Sequence, residues 1–101
     1  MNIPAYLLGT AVRIRTKIDD LAPTSVQITI RGSSWYTVIE DVNMSQVSSD
    51  TWEYIWQSPE VPELTEDEYD IYITVTSGIY RTVACETISM LDPRNRHNIP
   101  K

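Results

Sequence analysis

The sequence predicts an all-β domain of about seven strands, and three observations carry that prediction. Residues 52–56 (Trp52-Glu53-Tyr54-Ile55-Trp56) and residues 69–76 (Tyr69-Asp70-Ile71-Tyr72-Ile73-Thr74-Val75-Thr76) alternate large apolar with mostly polar side chains. Successive side chains of a strand leave opposite faces of its sheet, so a period of two paints one face apolar. Turn-forming residues recur about every ten positions, and no stretch carries the repeat of an amphipathic helix. A chain of 101 residues fits one domain, read here as residues 1–91 followed by a polar tail, 92–101.

Residues 12–18 are the first clear strand. Val12, Ile14 and Ile18 share one face; Arg13, Arg15 and Lys17 make a basic outer face that also guards a sheet edge. Asp19-Asp20-Leu21-Ala22-Pro23-Thr24 breaks the alternation as a turn does. In residues 25–31, Val26, Ile28 and Ile30 point inward and Gln27, Thr29 and Arg31 outward. Gly32-Ser33-Ser34 reads as a turn, residues 35–39 as a third strand rich in aromatic and β-branched side chains. Residues 40–47 carry a short fourth strand with Val42 and Met44 on one side, and Ser48-Ser49-Asp50 is a loop.

Residues 51–57 form the strongest strand, with Trp52, Tyr54 and Trp56 on its core side. Pro59 and Pro62 forbid a ladder beyond it. Thr65-Glu66-Asp67-Glu68 suits a single helical turn, with Thr as N-cap and acids after it. Residues 69–76 are the next strand, Ser77-Gly78 a tight turn and residues 79–90 the last strand. There the apolar phase is split: Ala84, Ile88 and Met90 lie on one parity, Val83 and Cys85 on the other. A bulge near Cys85-Glu86, or burial on both faces, accounts for this.

Charge excludes one class of partner. The net charge is −6, but residues 32–70 alone sum to −10 without a single Lys or Arg, and each flanking third sums to +2. Such a field repels phosphate backbones, so nucleic-acid binding is not expected. No apolar run approaches the ~20 residues that span a bilayer, so no membrane insertion is expected either. Residues 1–9 lack the basic leader of a secretory signal, which favours a cytoplasmic or virion-associated location.

Two motifs resemble immunoglobulin-like domains. Asp67-Glu68-Tyr69 ahead of alternating aliphatics is similar to the Asp-x-Gly/Ala-x-Tyr hairpin of that family, in shortened form. Gly9-Thr10-Ala11-Val12-Arg13-Ile14 is similar to the Gly-x-x-Val-x-Ile start of bacterial, archaeal and viral modules. The resemblance implies an antiparallel Ig-like β-sandwich used as a structural or adhesive module in surface proteins and virions. It also implies a tyrosine-corner role for Tyr69, its hydroxyl bonded back to nearby backbone, and a core role for Trp35. The inter-sheet cysteines are absent; Val26 or Ile28 and Ile71 stand in the expected places.

Nothing in the sequence points to catalysis. Cys85 is the only cysteine and reads as a small buried hydrophobe of a strand; His97, the only histidine, sits in the polar tail. The three glycines read as turn residues, and the paired carboxylates lack a cleft to converge in. The sequence therefore assigns no catalytic residue, no metal ligand and no cofactor. An alternative function is calcium binding by loop acids drawn from Asp19, Asp20, Asp50, Glu66, Asp67 and Asp70. Another is carbohydrate stacking by exposed aromatics among Trp35, Tyr36, Trp52, Tyr54, Trp56, Tyr72 and Tyr80. The favoured reading is a non-enzymatic module that meets a protein partner or a second copy. Its candidate contact residues are Ile55 and Tyr72, apolar on outer faces, and the basic row Arg13, Arg15 and Lys17.

Overall fold

The computed structural model describes residues 4–18, 23–32, 37–59 and 64–93. Among them are eight strands: β1 (Ala5–Leu7), β2 (Ala11–Lys17), β3 (Ser25–Gly32), β4 (Thr37–Asn43), β5 (Ser45–Gln46), β6 (Thr51–Gln57), β7 (Asp67–Ser77) and β8 (Tyr80–Leu91). A five-stranded sheet has the order β1-β8-β7-β3-β4, a three-stranded sheet the order β2-β6-β5. Only the β1–β8 pairing is parallel.

The apolar stripes meet in one core. Val12 and Ile14 of β2 and Trp52 and Trp56 of β6 face Val26, Ile28 and Ile30 of β3 and Tyr69, Ile71 and Ile73 of β7 in a single buried cluster. The Trp56 and Tyr69 rings, one from each sheet, lie 6.1 Å apart at a tilt of 58°. Each such ring buries roughly 150–250 Å², so this pair makes up much of the inter-sheet contact. Where the chain leaves β1 for the other sheet, the buried Ser58 ties the crossing. Its Oγ donates to Thr10 O (2.7 Å) and accepts from Gly9 N–H (3.1 Å).

Several expectations need correction. Eight strands form rather than seven because Ala5–Leu7 adds a short parallel edge beside Ser89–Leu91. The expected third and fourth strands are joined differently: β4 runs from Thr37 to Asn43, and only Ser45–Gln46 is separate. An extra residue on β4 makes this possible, since Ile28 pairs with Val42 but Ile30 with Ile39. Asp41 takes the left-handed φ of 51° at that bulge, and its N–H donates to Thr29 Oγ1 at 3.0 Å. No helical turn forms at Asp67-Glu68, because both residues are drawn into the ladder opposite Met90 and Ser89.

The split phase of the last strand has another cause than a bulge or two-sided burial. β7 and β8 keep unbroken register from Asp67 opposite Met90 to Ser77 opposite Tyr80. The hairpin loop is Gly78-Ile79, with glycine at φ 61° in the first central position, as a two-residue turn of the II′ class requires. Three strands cannot cover five. Ile73 is buried, yet Ala84 directly opposite it is exposed, as is all of β8 from Tyr80 to Glu86. Cys85, opposite Tyr72 on the other, outer face, is exposed as well, not buried.

Val26, Ile28 and Ile71 also do not face one another across the sandwich. β3 and β7 are neighbours in one sheet, with Ile30 beside Ile71. Asp92, read as the start of the tail, is buried, and its N–H donates to a Glu66 carboxylate oxygen at 2.7 Å. Trp35, Tyr36, Asp19, Asp20, His97 and the remaining tail lie outside the described residues.

Candidate functional surfaces

The outer face of the small sheet carries four of the predicted contact residues. Arg13, Arg15 and Lys17 alternate along β2 on the side away from the core, opposite Ile55, Glu53 and Thr51 of β6. Glu53 lies between the arginines: its Oε2 is 2.6 Å from Arg15 Nε and 3.4 Å from Arg13 Nε. Lys17 Nζ is 3.8 Å from Asp50. The basic row is thus largely matched within its own sheet, and exposed pairs of this kind contribute only about 0–1 kcal/mol each. Asp50 also accepts from the hydroxyls of Thr51 and Ser48; with Lys17 these hold its carboxyl below the ordinary value. Ile55 stands beside Arg13 and is 52% exposed, an apolar residue at the centre of a charged face.

Tyr72 occupies the outer face of the large sheet. The Arg31 guanidinium lies over its ring at 5.6 Å, and Cys85 is its cross-strand neighbour. Desolvation pushes the Cys85 thiol up, and the Asp70 carboxylate adds to the shift. A thiol held protonated is the reverse of what a nucleophile needs. A shallow groove of about 170 Å³ runs here past Thr29, Arg31, Tyr72, Thr74 and Arg81.

A second opening of about 370 Å³ lies at one end of the sandwich, where Ser25, Asn43 and Gln46 surround the edge of Trp52. Trp52 and Trp56 are buried and Tyr54 is half-buried against the core, so none of the three stands out as a free stacking platform. Tyr80 does, at 65% exposure. Among the candidate calcium ligands, Asp70 accepts from Thr87 Oγ1 at 2.8 Å and Asp67 from the Glu68 N–H. Among the described residues no three His, Cys, Asp or Glu side chains gather as a metal site, and no helix is long and apolar enough to cross a membrane.

One region escaped sequence reasoning. The tip of the β7–β8 hairpin exposes Ile79 (92%), Tyr80 and Val83 (50%). Tyr80 lies on the core-side parity of β8, and whether a second sheet lies over a strand is not written in that strand. No family model, curated protein or solved structure matches this chain.

Proposed function

We propose that the chain is an immunoglobulin-like β-sandwich acting as a non-enzymatic structural or interaction module, of the kind found in surface and virion assemblies. The strand order supports the fold reading. With β2, β6 and β5 as strands B, E and D, and β8, β7, β3 and β4 as G, F, C and C′, both sheets follow the family's arrangement. On this assignment the B-strand place belongs to Val12 or Ile14, and β1 is moved to the edge beside G. The bond from Tyr69 Oη to Thr65 O, at 2.6 Å, matches a tyrosine corner at the start of strand F.

The functional reading rests on where apolar surface is exposed. Ile55, Ile79, Tyr80 and Val83 stand on open sheet faces and a hairpin tip, as contact residues do, rather than around an enclosed cavity. The test is thermal melting with millimolar calcium, with chelator and with a panel of polysaccharides. The melting temperature is expected to stay constant. A rise with calcium, reversed by chelator, or a glycan-dependent shift in tryptophan emission would replace this reading with a ligand-binding one.

A further inference from the structure

An edge strand presents a row of unpaired N–H and C=O groups, and proteins ordinarily blunt it. Four strand edges of this molecule are blunted. β2 carries Arg13, Arg15 and Lys17; β4 carries Glu40 and the bulge at Asp41; β1 and β5 are three and two residues long. The first half of β8 is neither short nor bulged, and only two of its side chains are charged. β1 covers β8 only at Ser89–Leu91, so residues 81–87 form an edge with no strand beside it among the described residues. Its side chains include one cation, Arg81, and one anion, Glu86.

The direction of the free groups follows from the ladder. Ser89 N–H donates to Pro4 O and Leu91 O accepts from Leu8 N–H, so odd-numbered residues of β8 turn their main-chain groups away from β7. Arg81, Val83, Cys85 and Thr87 therefore hold the open edge, a set symmetric about Ala84.

We propose that a second copy of this chain pairs with that edge, β8 against β8, antiparallel about a two-fold axis at Ala84. The inference rests on the module reading above and names its partner. In this register Val83 of each copy lies opposite Cys85 of the other, and Arg81 opposite Thr87, as hydrogen-bonded pairs. A two-fold axis normal to the sheet keeps odd side chains on one face, as the register demands. Arg81 then reaches the side of Thr87 whose hydroxyl binds Asp70, so a cation meets the carboxylate on each side of the axis. The exposed Ile79 and Tyr80 of one copy come against the start of β1 in the other. The two large sheets become one continuous sheet.

The experiment is sedimentation equilibrium of the full chain over a wide concentration range, with circular dichroism as the fold control. Wild type is expected to shift from monomer to dimer. Val83→Lys guards the edge, and its side chain is exposed already, so it should leave the fold intact and abolish the dimer. Arg81→Glu sets like charges beside each other and should raise the dissociation constant at least about tenfold. Ala84 is a non-hydrogen-bonded pair across the axis, with Cα atoms ~4.5 Å apart, so Ala84→Cys in a Cys85→Ser background should form a disulfide dimer. A wild-type chain that stays monomeric, or a dimer indifferent to Val83→Lys, overturns the proposal. Disulfide formation through Cys85 of the wild type, or through Val83→Cys in the Cys85→Ser background, with none through Ala84→Cys, overturns the register. A monomer with no calcium or glycan response leaves the module reading standing; either response removes that reading whatever the mass.

Discussion

The β7–β8 hairpin contains two regions with the same ladder and opposite fates. Near its base, Tyr69, Ile71, Ile88 and Met90 are almost wholly buried; toward its tip Tyr80, Thr82 and Ala84, on the same face of the sheet, are exposed. Both regions are paired strand to strand without interruption. Backbone pairing is therefore not what separates them. The difference is the three-stranded sheet, whose Trp56 reaches Tyr69 but which leaves the first half of β8 bare. Regular hydrogen bonding makes a strand; a covering layer makes it core.

Substitution breaks this comparison most sharply. Ile71→Ala at the base should cost about 2–5 kcal/mol by urea unfolding, because a buried aliphatic side chain leaves a cavity. Thr82→Ala toward the tip, on the same face, should change stability by no more than about 1 kcal/mol. Equal costs at the two sites would mean the tip is covered too. Tyr69→Phe comes next, removing the hydroxyl bonded to Thr65 while keeping the ring against Trp56. A loss of about 1 kcal/mol is expected in the same assay, and no loss would show that the bond contributes nothing net.

The charged face of the small sheet gives smaller effects. Glu53→Gln should destabilise by under about 1 kcal/mol, with the difference fading in molar salt, since its arginine partners are exposed. A cost that ignores salt would place Glu53 in a packing role instead. The smallest expected effect is in acid. Asp50 is held below its ordinary value of 3.8, chiefly by the Thr51 and Ser48 hydroxyls. Its contribution is complete above that value and disappears as pH falls through the lowered folded value. Asp50→Ala should flatten the acid limb of the stability profile; an unchanged limb would assign the acid sensitivity elsewhere.

Much of this was legible beforehand. The outward side of Arg13, Arg15 and Lys17, the inward side of Trp52 and Trp56, and the Tyr69 hydroxyl bond all follow from parity and one short motif. The exposure of Cys85 was not, because the mixed apolar phase of β8 leaves open which of its parities faces the core. The pairing of β3 with β7 was equally hidden, since alternation assigns faces to strands but not strands to sheets. Nor did the acids of residues 67 and 68 announce a strand, for they join one through pairing with Ser89 and Met90, remote in sequence.

The sequence by itself determined which side chains share a face, since in extended backbone that depends only on whether a residue number is odd or even. Tertiary structure alone decided which faces are sealed and which edge stays open. Both depend on how many strands each layer holds and where a neighbouring strand stops, and those are properties of distant segments rather than of the strand itself.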